Sequence, residues 1–215
     1  MSEAKLSQGE AFARIRLLRS ANIGPVSYAQ LLRRFGTAIE ALEALPDGLT
    51  GEIVDGQLHA TPRPAPAHAL VCSSLGGELH SPFQRGRGGP GGWWILDEPE
   101  IHFIRRIELT VPDLTGWRRE RLPRMPSTAF FELVPDWVCE IASPSTARYD
   151  RHTKLPAYAR HGVPFVWLVD PVERWLEVHT LENGRYTCEG RIDGDGSIRQ
   201  PPFAEVAIAP PWLEL

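Results

Sequence analysis

Long apolar runs are missing from this 215-residue chain. None approaches the roughly 18 residues that a membrane helix needs, so no transmembrane helix is expected. Cysteine is scarce: Cys72, Cys139 and Cys188 are odd in number, far apart and never in a CxxC pair. That argues against a disulfide framework and against a structural zinc site, and all three are expected as small buried hydrophobes. His68, His80, His102 and His152 show neither HxH nor HExxH spacing, which removes the usual zinc hydrolase patterns. The glycine-rich stretch at 86–92 lacks the Lys-Ser/Thr pair of a phosphate-binding P-loop, and no Gly-x-Ser-x-Gly elbow is present. No internal repeat is visible. The first twenty residues alternate charge and apolarity without an h-region or cleavage site, so a cytoplasmic protein is expected.

Positive charge is also not in excess. The net charge is −4, so the molecule as a whole is no counter-ion for nucleic acid. The distribution is uneven, however: residues 1–46 hold six basic groups against four acids, +2 net, which leaves −6 for the remainder. A basic front end permits local contact with phosphates. With 42% hydrophobic and 23% charged residues, the composition is that of a globular protein, long enough for one well-cored domain and a small appendage.

Two textures follow one another along the chain. Residues 10–45 read as helices: Phe12, Ile15 and Leu18 recur at helical spacing, Asn22-Ile23-Gly24-Pro25 interrupts, and Tyr28, Leu31, Leu32 and Phe35 share a second face. Gly36 suits a C′ position, and Thr37 can cap a third short helix over 38–45. Pro46-Asp47-Gly48 breaks the pattern, giving a helical unit over 1–46 and a second domain over 47–215. In the latter, Asp55-Gly56 marks a type I′ hairpin within 52–58. A helix is expected over 66–80, a loop over 86–92, and strands at 93–97, 100–105, 108–112, 136–142, 163–169, 174–181 and 185–190. A helix over 153–161 is started late because of Pro156. Alternating strands and two sizeable helices make an α/β domain with a mixed sheet.

Three features of this domain carry chemistry. Asp113 follows Val111-Pro112 at a strand end. In Pro135–Ala142 the alternation puts Trp137, Cys139 and Ile141 on one face and Val138, Glu140 and Ala142 on the other. A glutamate with aliphatic neighbours is poorly solvated and needs a cation or partner to stay charged. Lys154, in the first turn of the next helix, can return over the sheet. Two carboxylates and a lysine suit phosphodiester hydrolysis. The carboxylates hold Mg²⁺ (or Mn²⁺), and the lysine orients or deprotonates the attacking water or stabilises the transition state. Blander readings stand beside this: Asp113 capping a turn, Glu140 in an ion pair with an arginine, Lys154 pairing with Asp150 at i,i+4 on a solvated face. Trp117 with Arg118, Arg119, Arg121 and Arg124 forms either a basic rim for a nucleic-acid backbone or a solvated loop.

The stretches Glu52–Gly56, His68, Pro112–Arg118, Pro135–Thr146, Arg148–Arg151, Lys154, Tyr158 and Gly162–Pro171 together resemble the Uma-type restriction endonucleases, a branch of the PD-(D/E)XK nuclease superfamily. The resemblance covers most of residues 47–215. It implies a restriction-endonuclease-like core, a central mixed β-sheet flanked by helices. It also implies Asp113 and Glu140 as metal ligands, the Ile141 carbonyl as a third, and Glu52 as an accessory ligand. The superfamily's lysine two residues after the glutamate is Ala142 here, and Lys154 matches the migrated position. Tyr158, one turn after Lys154, either shares its face or packs. A homodimer is carried over from nuclease analogues.

Residues 17–36 resemble a helix–hairpin–helix element, in particular the N-terminal segment of the DNA-processing protein A family, with Asn22-Ile23-Gly24 in place of Gly-Ile-Gly. Such hairpins aim backbone N–H groups at phosphates, which implies DNA contact at Asn22, Ile23, Gly24 and Val26 and the neighbouring Arg33 and Arg34. The leading expectation is a Mg²⁺-dependent endonuclease acting on DNA. Its rivals are a non-catalytic nucleic-acid-binding or scaffold protein on the same fold, and a carboxylate-pair glycosidase that would leave Lys154 without a role.

Overall fold

In the computed structural model, the described residues are 38–215, apart from 44, 46, 47, 63, 145 and 214. The hairpin residues Asn22, Ile23, Gly24, Val26, Arg33 and Arg34 lie outside them. The elements run α1 (Ala38–Glu43), β1 (Leu49–Val54), β2 (Gln57–Pro62), α2 (Pro66–Leu79) with a π-helical turn at His80–Gln84, then β3 (Trp93–Asp97), β4 (Ile101–Ile104), β5 (Glu108–Thr110) and β6 (Leu114–Arg118). After β7 (Trp137–Ile141) a helical segment opens as α3 (Ala147–Tyr149), passes through a π-helical turn at Asp150–Lys154 and continues as α4 (Leu155–His161). β8 (Phe165–Asp170), β9 (Trp175–Glu182) and β10 (Arg185–Asp193) follow. Among the described residues no helix is long and apolar enough to cross a membrane.

Turn chemistry makes the hairpins. Asp55 (φ 53°) and Gly56 (φ 70°) join β1 to β2 with both central residues left-handed, as a type I′ turn requires. Asn183 and Gly184 do the same between β9 and β10. The helical segment begins at Ala147, six residues before the expected start. Pro156 is tolerated because it stands in the first turn of α4, and the π turn before it is closed by the Leu155 N–H donating to the Asp150 carbonyl.

The strands form two sheets. β2–β1–β5–β4 is antiparallel throughout; β10–β9–β8–β7–β6–β3 is the central mixed sheet, with β7 and β8 parallel. The chain crosses from the small sheet to the large one at residues 111–113, where Pro112, lacking an N–H, cannot continue a ladder. The strand expected over 108–112 therefore stops at Thr110. Strand β6 lies where the sequence reads as a basic rim or a solvated loop, and Trp117, fully buried inside it, belongs to neither.

Each face of the large sheet is covered. On one, α2 (Val71, Leu75, Leu79) and the C-terminal Phe203, Ile208 and Trp212 pack against Trp137, Cys139, Ile141 and Trp167. On the other, Tyr158 packs with Val138, Val163, Val166 and Leu168. The alternation of β7 thus distributes its residues as expected from period two. Gly116 is demanded by close approach: a Cβ there would lie 3.2 Å from both the Trp137 and Trp93 rings. Four tryptophans, at 117, 137, 167 and 212, are fully buried, and truncating one such ring costs about 3–5 kcal/mol. All three cysteines are free, but only Cys139 is buried; Cys72 is half-buried, and Cys188 is exposed on β10, the edge strand of the large sheet.

Candidate active site

The crossover between the sheets borders a cavity of about 310 Å³. Five elements contribute: Glu52 from β1, Asp113 from the crossover, Glu140 and Ile141 from β7, Asp150 and Lys154 from the π turn, and His68 from the first turn of α2. Residues as distant as 52 and 154 meet because β1 pairs with β5, which leads straight into Asp113, while β6 pairs with β7 beside it.

Lys154 is the hub. Its Nζ lies 2.6 Å from Glu140 Oε1 and 2.9 Å from Glu52 Oε1, and the three side chains are almost wholly buried. The Tyr158 hydroxyl donates to the same Glu140 oxygen at 2.5 Å, so Tyr158 packs and also touches the centre. Glu52 Oε1 in addition accepts from the Val111 N–H at 2.8 Å, which ties β1 to the crossover. Asp113 is held at both ends: its Oδ2 accepts from the Ile141 N–H at 2.6 Å, and its carbonyl accepts from the N–H of Glu98, a residue in the left-handed region at φ 45°. His68 Nε2 sits 3.2 Å from Asp113 Oδ2.

The electrostatics follow from this crowding. Burial pushes the Glu140 carboxyl well above the usual range; Lys154 opposes the push, and Asp150, Asp113 and Glu52 add to it. Burial likewise raises Asp150 to about 7, against the pull of Lys154. Burial alone would discharge Lys154, but Glu140 and Glu52 hold its ammonium well above the ordinary lysine value. His68 is desolvated, yet its bond to Asp113 and the neighbouring Ile141 backbone raise it. Four carboxyl groups (Glu52, Asp113, Glu140, Asp150) thus share one lysine and one histidine, and a surplus of buried negative charge is what a divalent cation neutralises. Hard oxygen donors from Asp113, Glu140 and the Ile141 backbone fit Mg²⁺ or Mn²⁺.

Asp113, Glu140, Ile141, Glu52, Lys154 and Tyr158 therefore come together, and Lys154 is buried among acids rather than pairing with Asp150 on a solvated face. Asp150 and His68 also belong to the cavity. Local pattern gives Asp150 only as an i,i+4 partner of Lys154 and His68 no partner at all; the family resemblance alone includes both. The glycine-rich loop at 86–92 does not line the cavity and serves as a connector.

A second cluster lies on the same sheet face. Glu177, His179 and Cys188 bring three ligand atoms within 4.8 Å of one another. Glu177 is already taken, however: Arg151 Nη2 stands 2.8 Å from Oε2 and Arg191 Nε 3.0 Å from Oε1. Two guanidiniums at the carboxylate repel a cation, so this cluster is an ion-pair network that pins the helical segment to β9 and β10.

Residues 39–210 match the family Uma2, described as "Putative restriction endonuclease". Residues 8–64 match a second family, described as "DprA-like N-terminal HHH domain". No curated protein matches the chain. Among solved structures, the chain is similar to a "putative nuclease belonging to DUF820" from Anabaena variabilis, with TM-score 0.64 and 23% identity over 88% of this chain and 97% of that one. At that identity the likeness establishes the fold.

Proposed function

The chain belongs to the Uma2 restriction-endonuclease family, and from that premise we propose that it is a Mg²⁺-dependent (or Mn²⁺-dependent) endonuclease hydrolysing DNA phosphodiesters in the cytoplasm. The observation that carries the proposal is the buried surplus of carboxylate around Lys154 and Asp113. Asp113 and Glu140 would hold the ion with the Ile141 carbonyl, and Glu52 is accessory. The bound ion supplies an activated water and neutralises charge on the phosphate. Lys154, kept as an ammonium by Glu140 and Glu52, donates hydrogen bonds to the water or to the phosphate oxygens; it is not the base. Asp150, with its carboxyl raised to about 7, is the better proton acceptor. Tyr158 fixes the rotamer of Glu140.

DNA as substrate is supported by the match of residues 8–64 to a helix–hairpin–helix domain. There Asn22, Ile23, Gly24, Val26, Arg33 and Arg34 are the proposed phosphate contacts. The division at residue 46 belongs to the same proposal: the Uma2 match begins at 39, and the hairpin β1–β2 pairs with β5. A homodimer would place one centre on each strand of a duplex.

Supercoiled plasmid incubated with the purified protein and Mg²⁺ or Mn²⁺ tests the proposal. Nicking is expected, and Asp113→Ala and Glu140→Ala are each expected to lower it by about 10³-fold or more while far-UV circular dichroism stays unchanged. Absence of cutting with either ion on any DNA form overturns it. One observation favours a second reading, a non-catalytic DNA-binding protein: Lys154 has both its carboxylate partners within the chain, as a purely structural ion pair would. Salt-sensitive DNA binding without cleavage, unaffected by Asp113→Ala, would select that reading.

A further inference from the structure

Helix α2 lines the catalytic cavity only at its first turn, through His68. Its later turns border a second cavity of about 450 Å³, whose walls include Ser73, Gly77, His80, Arg85, Arg87 and Asp97. The two cavities are neighbours along the strand as well, since Asp97 borders the second and Glu98 the first. From His68 to His80 the helix advances about 18 Å.

Cations gather where the second cavity ends. Arg85 and Arg87 are exposed, and among the described residues neither side chain has an ion-pair partner. Beside them stand Arg118 and Arg119, which leave the end of β6 that is remote from Asp113. The Arg118 guanidinium lies 4.6 Å from the Trp93 ring and that of Arg119 lies 3.9 Å from the Trp94 ring. Arg119 also donates to the Gln84 carbonyl at 2.8 Å, which fixes it against the 85–87 segment. Arg121 is neutralised by Asp136 at 2.7 Å, and exposed Glu120 offsets one charge. In a chain of net charge −4 this is a local surplus of cations at one edge of the central sheet.

We propose that Arg85, Arg87, Arg118 and Arg119 form a backbone-binding surface for duplex DNA, reached from the catalytic cavity along α2. The proposal rests on the nuclease reading above and adds to it the path of the substrate. Duplex DNA carries a phosphate every 3.4 Å or so along each strand, so an 18 Å track spans about five base pairs beyond the scissile bond. The small side chains Ser73 and Gly77 leave its floor open, and among the described residues Asp97 is the one acid lining the second cavity. Among the described residues no exposed tryptophan, tyrosine or phenylalanine ring lines this cavity, and of the two rings under the arginines Trp93 is buried and Trp94 half-covered. The contact is therefore with phosphates and is independent of sequence.

Fluorescence anisotropy of a labelled 30-base-pair duplex tests the surface, using the full chain with Asp113→Asn so that the duplex stays intact. Arg85→Ala/Arg87→Ala is expected to weaken binding about 10- to 100-fold at 50 mM salt. It should also reduce the slope of log K against log salt by about 1.8, which is 0.9 for each lost contact. Arg185→Ala, on the opposite sheet edge at β10, is the control and is expected to change little. The replaced arginines are exposed, so melting temperatures should stay level and confirm intact folding. Binding in which the double variant matches Arg185→Ala overturns this surface and leaves the nuclease reading intact. No binding of duplex by the parent chain at 50 mM salt removes DNA as substrate, and this surface with it.

Discussion

Glu140 and Glu177 stand on the same face of the same sheet, each opposite Leu168 on the strand between them, about 10 Å apart. Both are buried, and both are glutamates. Their surroundings differ in sign. Burial works against the charge on Glu177, but Arg191 and Arg151 bind it and hold its carboxyl below the usual range. Glu140 shares a single lysine with Glu52, and its carboxyl is pushed up. A buried carboxylate with cations to spare is a rivet; one with too few carries uncompensated charge. The comparison separates a structural network from a candidate catalytic centre without appeal to residue type, which is identical.

Activity gives the largest test of this contrast. Glu140→Gln should lower metal-dependent DNA cleavage about 10³-fold, whereas Glu177→Gln should lower it less than about threefold once both are assayed below their melting temperatures. Equal losses would erase the distinction.

The pH dependence of stability comes next. Asp150 has its carboxyl at about 7 in the folded chain, against an ordinary value near 4. The folded state therefore holds a proton that the unfolded state has released, and stability falls as pH rises from about 4 to about 7. Asp150→Asn should flatten that decline in thermal melts recorded in EDTA, and added Mg²⁺ should restore stability most at the upper end of the range. A melting temperature that climbs through this window in wild type would contradict the charge surplus.

The smallest effect is the sharpest in sign. Without metal, Glu140→Gln relieves repulsion while Lys154 keeps Glu52, so its stability should equal or exceed wild type. Glu177→Gln leaves Arg151 and Arg191 facing a neutral amide and should cost about 1–2 kcal/mol, limited because both guanidiniums reach solvent. Urea unfolding of the two variants measures this directly. A larger loss for Glu140→Gln than for Glu177→Gln would reverse the assignment of roles.

Much of this was readable before any coordinates. Asp55-Gly56 announced its hairpin because few residue pairs tolerate two consecutive left-handed backbones. The alternation of Trp137–Ile141 named the two faces of β7 in advance. Other features were hidden for identifiable reasons. The helical segment starts earlier than Pro156 implied, because a π turn lies between the proline and the segment's first residues. Trp117 belongs to β6 and not to a rim, since its neighbouring arginines masked a buried strand in the local composition. Nothing in residues 49–110 signalled that four of the strands would form a separate sheet.

Local periodicity and turn stereochemistry are properties of adjacent residues, so the chain by itself determined most of its strands, the hairpin turn at Asp55-Gly56 and the burial of Glu140. Which charges meet there is a property of long-range pairing. Glu52 arrives through β1 and β5, Asp113 through the crossover at Pro112, and Asp150 and Lys154 through the helical segment. Only the tertiary structure decided that Glu140 would face one lysine among four carboxyls while Glu177 would face two arginines, because the energy of a buried charge is set by the neighbours that folding brings within a few ångströms.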